Sequence, residues 1–311
     1  MRIMFMGTPE ISALSLAAIL DGGHNVCAVI TGEDKPRGRG NVMTPTPTKK
    51  LAEERRIPVY TPKTLRDDAF AALLSDINPD LICVVAYGKI LPENVIKFPK
   101  YGCINLHVSL LPKYRGAAPM QRAVMDGESE TGVTVMYMDV GLDTGDIIAA
   151  EKFPIGDEDD FEYVHDTSVR IGSRLLSDTL YDIEAGRAIR TPQDESLATY
   201  AKKVEKEDCL IDFSLDSSVV SARIRGVTPI PGAFTYLGGR MLKIARVKAI
   251  KGNGNPGEVL EASGVGDGYI TVACGSGALR ILQVTPEGKG KMSAGDFVRG
   301  RKIAVGDILG K

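Results

Sequence analysis

Three polar side chains in this sequence have the types and the spacing that acyl transfer requires. Asn105 and His107 are two residues apart at the end of a short apolar run, so on a strand they face the same side of the sheet. Asp143 lies between glycines in a second segment, after another strand-like run. An amide can hydrogen-bond to an oxyanion, an imidazole can donate a proton, and a carboxylate can orient the imidazole. Together these groups indicate transfer of an acyl group.

Each of these residues also has an ordinary structural explanation. A histidine at a strand end is more often a hydrogen-bonded structural residue, and an Asn-x-His pair can cap a loop. An aspartate between glycines is common in turns. The S-L-L-P run that follows His107 can be core packing. The combination of all these features favours a catalytic site.

The elements around these residues predict an α/β fold with a parallel sheet. Arg2 to Met6 and Asn25 to Thr31 are apolar strands separated by a helical pattern, which is the order of dinucleotide-binding folds. Asp80 to Tyr87 is almost continuously apolar, as in a strand covered on both faces. Ligands of such sheets bind at the carboxyl ends of the strands, where the Asn-x-His pair lies. No G-x-G-x-x-G follows the first strand, so we expect no bound NAD.

The carboxyl-terminal part of the chain predicts a different fold. From Ala233 onward, short strands alternate with glycines, as in a small antiparallel barrel. The polar segment Thr191 to Lys206 has no sustained apolar periodicity. We therefore predict a Rossmann-like, mostly parallel N-terminal domain (residues 1–190), a linker (191–206) and an OB-like antiparallel β-barrel (207–311).

Charge is distributed unevenly along the 311 residues. The net charge is −2, but Lys206 to Lys311 carries 15 Lys and Arg against 10 Asp and Glu, and the remainder carries 23 against 30. A basic barrel on an acidic body fits contact with a polyanion, although chance scatter of solvated charge fits equally well. The loop from Gly32 to Pro47 holds three further cations among glycines, which suits either phosphate binding or plain solvation.

Cysteine, histidine and hydropathy patterns exclude several classes of protein. The five cysteines are widely spaced without a C-x-x-C pair, and there are three histidines, so we expect a reducing compartment and no metal site. The apolar amino terminus is interrupted by Pro9 and Glu10, and no run is long enough to span a membrane. We expect a cytoplasmic protein without a targeting segment, and a monomer.

Four motifs resemble those of the folate-dependent formyltransferases. They are F-M-G-T-P-E (5–10), D-K-P-R-G-R-G (34–40), N-L-H-V-S-L-L-P-K-Y-R-G-A-A-P (105–119) and M-D-V-G-L-D-T-G-D (138–146). The similarity extends over essentially the whole chain. The first two motifs narrow the resemblance to the branch of the family that acts on charged initiator tRNA.

The resemblance implies that the chain transfers the formyl group of 10-formyltetrahydrofolate to the amino group of initiator methionyl-tRNA, without a metal. It assigns the catalytic roles to Asn105, His107 and Asp143. The resemblance assigns binding of the tRNA acceptor end to Lys35, Arg37 and Arg39. It places the folate against the S-L-L-P run and the backbone of two loops: Ser109, Leu110, Leu111 and Pro112, then Tyr87, Gly88, Ile90, Val140 and Gly141.

Two other functions stay open. A folate-dependent formyltransferase acting on a sugar nucleotide or on glycinamide ribonucleotide would use the same three catalytic residues. An enzyme acting on glycinamide ribonucleotide would not need a basic barrel. An enzyme acting on a sugar nucleotide commonly carries a further domain, for which this chain is too short. A nucleic-acid-binding module with an inactive remnant of the enzyme would not need the three polar residues intact.

Overall fold

The computed structural model describes residues 1–37 and 40–310, which form two compact units. Unit 1 comprises Met1–Gly116, Gly132–Lys152 and Asp166–Tyr200, and unit 2 comprises Ala117–Thr131, Phe153–His165 and Ala201–Lys311. The predicted linker is divided between the units after Tyr200, and the predicted domain boundaries stay predictions. No helix within the described residues combines the length and the apolar sequence that crossing a membrane requires.

Unit 1 is built on a seven-stranded sheet. The strands up to residue 201 are β1 (Arg2–Gly7), β2 (Asn25–Ile30), β3 (Lys35–Arg37), β4 (Val42–Thr44), β5 (Val59–Tyr60), β6 (Leu81–Val85), β7 (Cys103–His107), β8 (Arg115–Gly116), β9 (Glu130–Tyr137), β10 (Ile147–Pro154) and β11 (Tyr200–Ala201). The sheet order is β10-β9-β7-β6-β1-β2-β5. The five strands from β5 to β7 are parallel, and β9 pairs with β7 in the antiparallel sense. The predicted, mostly parallel fold class is confirmed.

Several of the helices begin at a residue whose side chain caps them. The helices in the described residues are α1 (Glu10–Asp21), α2 (Pro47–Glu54), α3 (Asp68–Ile77), α4 (Glu93–Ile96), α5 (Pro119–Met125), α6 (Phe161–Glu184), α7 (Ser217–Gly226) and α8 (Ala294–Arg299). Thr46 caps α2 by accepting from the amide of Lys49, and Pro47 occupies the first helical position. Asp67 caps α3 by accepting from the amide of Phe70. Local sequence therefore determines where these helices start.

The two faces of β7 have different surroundings. Leu106 points to α6, where a Cβ on Gly172 would lie 3.0 Å from Leu106 Cδ2. Cys103 points to the other face and belongs to a buried cluster with residues of β1, β6, α3 and α4. Because side chains alternate along a strand, Asn105 and His107 share the face of Cys103. The candidate catalytic pair therefore lies on the α3 and α4 side, at the carboxyl end of β7.

Unit 2 contains two small antiparallel sheets. Its remaining strands are β12 (Ala233–Leu237), β13 (Arg240–Ile244), β14 (Val247–Ile250), β15 (Val259–Ser263), β16 (Tyr269–Ala273), β17 (Ala278–Ile281), β18 (Gln283–Pro286) and β19 (Met292–Ser293). The sheet orders are β12-β13-β18-β19 and β14-β17-β16-β15, with antiparallel pairing in each. Their apolar faces enclose one core with α5, α7 and α8. The prediction of short antiparallel strands is confirmed.

Candidate active site

The backbone of the following loop holds the His107 ring. His107 is 5% exposed, and its Nε2 lies 3.0 Å from the carbonyl oxygen of Tyr114. A carbonyl oxygen can only accept, so Nε2 carries a hydrogen and donates it. In the neutral ring Nδ1 is then unprotonated. Nδ1 is therefore the ring nitrogen that can exchange a proton with a substrate.

Asp143 lies beside that nitrogen. Its Oδ2 is 3.7 Å from His107 Nδ1, which is an ion-pair contact but too long for a hydrogen bond. The same oxygen accepts a hydrogen bond of 2.8 Å from the backbone N–H of Gly116. Both side chains are largely shielded from water, with exposed fractions of 6% and 15%. An imidazolium formed at His107 would thus have a negative neighbour at short range.

The loop that carries Asp143 is packed closely on itself. Asp139 Oδ1 accepts from the Gly141 amide at 2.9 Å and from Thr144 Oγ1 at 2.6 Å. Gly145 has no room for a side chain, because a Cβ there would lie 1.8 Å from a backbone carbonyl oxygen. A Cβ on Gly141 would lie 2.0 Å from Thr144 Oγ1 and would displace that side chain. Asp143 itself has a φ of 55°, in the left-handed region. The G-x-D-x-G spacing is thus a packing requirement of this loop.

Asn105 supplies a free amide on the same strand face. Its side chain is half-buried and makes no hydrogen bond to any residue within 1–37 and 40–310. Strand geometry separates its Cα from that of His107 by roughly 6.6 Å. The structure therefore brings His107 and Asp143 into contact and leaves a nearby amide available to donate to a ligand.

The S-L-L-P run continues from His107 and is attached to β9. Thr134, which pairs with His107 across the sheet, donates from Oγ1 to the Ser109 carbonyl at 2.7 Å and accepts from the Leu111 amide at 3.2 Å. Ser109 and Leu111 are buried, and Leu110 and Pro112 are half-buried. These contacts hold the loop that presents the Tyr114 carbonyl to His107. The assignment of the run to folate stays a prediction.

A cavity of about 600 Å³ opens in unit 1 at the end of β9. Its lining includes Ile96, Cys103, Met138 and Val140. The volume lies within the range of about 300–1,000 Å³ that is usual for small-molecule sites. Burial raises the pKa of Cys103 to about 12, so its thiol stays neutral at physiological pH. Of the predicted folate-binding residues, Val140 lines this cavity.

The other predicted folate-binding residues differ in accessibility. Gly88 and Gly141 are exposed, and the side chain of Ile90 is 83% exposed. The Tyr87 hydroxyl is buried in an apolar cluster without a hydrogen-bond partner among the described residues. Burial accordingly raises the pKa of Tyr87 to about 12. A ligand can reach the backbone of these loops but not the Tyr87 side chain.

Three residues that the sequence did not predict as part of the site hold the Asp143 loop. Arg115 is fully buried, and its guanidinium donates to Glu195 at 2.9 and 2.7 Å and to Gln193 Oε1 at 3.2 and 2.8 Å. Hydrogen bonding between Arg115 and Glu195 raises the pKa of the guanidinium and lowers the pKa of the carboxyl. Gln193 Nε2 donates to the carbonyls of Asp143 and Gly145. The available signal was Arg115 itself, a cation within the motif of residues 105–119, which needs a partner if it is buried.

The predicted tRNA-binding residues are described in part. Lys35 is exposed on the hairpin formed by β3 and β4, and Arg37 ends the first strand of that hairpin. Arg39 lies outside the described residues. No group of three or more His, Cys, Asp or Glu that could hold a metal occurs within 1–37 and 40–310. The assignment of this hairpin to tRNA stays a prediction.

Comparisons with known sequences match both parts of the chain. The family model for formyl transferase matches residues 1–180, and the model for the formyl transferase C-terminal domain matches residues 203–302. The methionyl-tRNA formyltransferase of Geotalea uraniireducens is 47% identical over 311 residues, covering 100% of this chain and 98% of the relative. That of Citrifermentans bemidjiense is 45% identical, covering 100% and 97%.

Solved structures share the fold at lower identity. The N-formyltransferase from Helicobacter canadensis, in complex with folinic acid and dTDP-3-aminofucose, superposes with a TM-score of 0.66 at 19% identity, covering 90% of this chain and 97% of that one. HypX from Aquifex aeolicus, in complex with tetrahydrofolic acid, gives a TM-score of 0.63 at 20% identity over 98% of this chain. This chain spans 48% of the HypX chain.

Proposed function

Because the chain belongs to the formyl transferase family, we propose that it transfers the formyl group of 10-formyltetrahydrofolate to the amino group of initiator methionyl-tRNA. The product is N-formylmethionyl-tRNA, which serves translation initiation. The observation that carries the chemistry is the contact between His107 and Asp143, with the free amide of Asn105 on the same strand face. The full-length relatives favour a tRNA substrate over a sugar nucleotide, since the likeness to the sugar enzyme is one of fold.

The reaction begins when the neutral amine of the methionyl group attacks the formyl carbon. A new C–N bond forms, and the carbonyl oxygen becomes an oxyanion. The side-chain amide of Asn105 donates a hydrogen bond to this oxygen. Loss of one such donor raises the barrier of other acyl-transfer reactions by about 3–4 kcal/mol.

His107 then moves the proton. Its Nδ1 accepts the proton that the attacking nitrogen loses, while Nε2 keeps its hydrogen bond to the Tyr114 carbonyl. The resulting imidazolium faces the Asp143 carboxylate, and its positive charge also stabilises the oxyanion. When the adduct collapses, the bond between the formyl carbon and N10 of the folate breaks, and N10 receives the proton. The amine proton is thus transferred to the leaving nitrogen.

We assign the pterin ring to the cavity beside β7 and β9. Its volume, its neutral Cys103 thiol and the apolar side chains of Met138 and Val140 suit a flat heterocycle. The lining also includes five charged residues: Glu93, Lys97, Lys100, Asp139 and Arg190. Cys103, which is part of the lining, lies on the strand face that also carries Asn105 and His107, although neither of these two residues lines the cavity. The Asp143 loop and the accessible loop after β6 supply the backbone groups that a pterin edge needs. The S-L-L-P run is assigned to the same folate.

The tRNA is assigned to Lys35, Arg37 and Arg39 and to the basic carboxyl-terminal third of the chain. The assignment of the three cations rests on the family resemblance, and that of the carboxyl-terminal third rests on its positive charge, since phosphates dominate binding to nucleic acids. We place the reaction in the cytoplasm, where translation takes place. We assign a monomer as the active species, because one chain carries every catalytic group assigned here. Neither a metal nor NAD takes part in the steps above.

A single-turnover assay tests the proposal. The full chain is mixed with 10-formyltetrahydrofolate and, separately, with initiator methionyl-tRNA, glycinamide ribonucleotide or a dTDP-amino sugar, and the formylated product is measured. We expect product with the tRNA and none with the other two acceptors. Elongator methionyl-tRNA, which carries the same amino acid, is the matched control for the tRNA body. Formylation of the sugar or of the ribonucleotide in place of the tRNA would overturn the assignment.

A further inference from the structure

The segment Thr191–Tyr200, here called the strap, holds both loops of the active site. At one end the backbones of Thr191 and Ile147 exchange hydrogen bonds of 2.8 and 2.9 Å, next to the loop that carries Asp143. At the other end Thr199 Oγ1 accepts from the Tyr114 amide at 2.8 Å. The Thr199 carbonyl accepts from the Arg115 amide, also at 2.8 Å. All these residues belong to unit 1.

Between these ends, Gln193 uses the full hydrogen-bonding capacity of its side chain. Its Nε2 donates to the carbonyls of Asp143 and Gly145 at 2.8 and 2.7 Å. Its Oε1 accepts twice from Arg115. A guanidinium can only donate and a carbonyl can only accept, so the amide can adopt this orientation and not the flipped one. The side chain is therefore locked between the two loops.

These contacts close a ring around Asp143. Gln193 holds the Asp143 carbonyl, and Arg115 holds Gln193. Gly116, which follows Arg115 in the chain, donates to the Asp143 carboxylate. Asp143 is thus held at its backbone and at its side chain by groups that are themselves linked. A residue in the left-handed region needs such support to keep its conformation.

We propose that Gln193 is a positioning residue, which sets the separation between the Asp143 carboxylate and Nδ1 of His107. Gln193 touches neither reacting atom, and it acts through the backbone of the Asp143 loop. The inference deepens the proposed function and rests on it for the kinetic consequence. The effect of Gln193 on the separation between Asp143 and His107 does not depend on which substrate the protein uses.

Two substitutions separate the amide's donors from its acceptor. Gln193→Glu still accepts from Arg115, but it places a carboxylate against two carbonyls that cannot donate to it. Gln193→Met keeps the length of the side chain and removes all four hydrogen bonds. We expect kcat to fall about 10- to 100-fold in both, as for supporting residues of other sites, while KM for folate and tRNA changes far less. Asp194→Asn is the matched control, because the Asp194 carboxylate accepts from Ser196 and has no hydrogen bond to either loop among the described residues.

A second measurement reports on His107 directly. The chain has three histidines, so the ring signals of His107 can be assigned in NMR spectra by comparison with His24 and His165 variants. Both Gln193 variants should shift the His107 ring resonances and leave those of His24 and His165 in place, and Asp194→Asn should shift none.

The outcomes decide the proposal whether or not the assigned substrates are correct. A shift of the His107 signals in a folded Gln193 variant supports the positioning role even if the parent fails to formylate methionyl-tRNA. Unchanged His107 signals together with parental kcat would overturn it. Melting temperatures are measured alongside, and failure of both variants to fold would show a purely structural role and would also overturn it.

Discussion

Replacing Asp143 by Asn tests the electrostatic part of the mechanism with little change in shape. The Asn side-chain oxygen can still accept from the Gly116 amide, so the loop keeps that contact. The substitution removes the negative charge 3.7 Å from His107 Nδ1. At an effective dielectric constant of about 20, two unit charges at this distance attract each other by about 4–5 kcal/mol.

Water screens part of this attraction, because the Asp143 side chain is 15% exposed, so its removal costs less than the full value. We therefore expect the barrier to rise by about 3–4 kcal/mol, which lowers kcat by about 10²- to 10³-fold. Single-turnover formylation with both substrates saturating measures this directly. Asp146→Asn is the matched control, since it removes an equal charge from the same loop without an ion pair to His107. We expect it to keep the activity of the parent.

The double variant with His107→Ala adds a second test of the reasoning. If Asp143 acts by stabilising the imidazolium, removing it should cost little once the imidazole is absent. Fully additive losses would mean that the two residues act independently. A folded Asp143→Asn protein with kcat within about fivefold of the parent would refute the charge argument, because that loss is near 1 kcal/mol.

Four further predictions address other groups of the protein. Asn105→Ala should lower kcat by about 10²- to 10³-fold with little change in folate affinity, and a change confined to KM would remove it from oxyanion stabilisation. Thr134→Val leaves the Ser109 carbonyl and the Leu111 amide buried without partners, so urea-induced unfolding should show a loss of about 2–4 kcal/mol, whereas an unchanged midpoint would contradict this. Arg39→Ala should weaken the use of charged tRNA but not hydrolysis of the formylated folate, and equal losses would indicate a structural role. Affinity for tRNA should fall steeply with salt, with a log–log slope of about −0.7 to −0.9 per phosphate contact, and a slope as flat as that for folate would contradict the basic tRNA surface.

The sequence by itself determined the features that depend on near neighbours. Side chains alternate on any strand, so the spacing of Asn105 and His107 was enough to put them on one face. The apolar run of β6 predicted a strand buried on both faces, and all five of its residues are buried. The motif of the Asp143 loop predicted Asp143 as the catalytic carboxylate, although the reason for its glycines became clear only from the packing of the loop.

Only the tertiary structure decided which groups surround the candidate catalytic residues. Arg115 and Gln193 are 78 residues apart, and Gln193 and Asp143 are 50 apart, so their contact depends on where the chain returns after α6. The local sequence pattern does not show where the chain will pack after α6. The polar strap was therefore predicted to be a linker. The same holds for the tautomer of His107, which follows from the carbonyl of Tyr114 meeting Nε2. Residue types along the chain specify what chemistry is possible, but hydrogen-bond partners are determined by the three-dimensional path of the backbone that presents them.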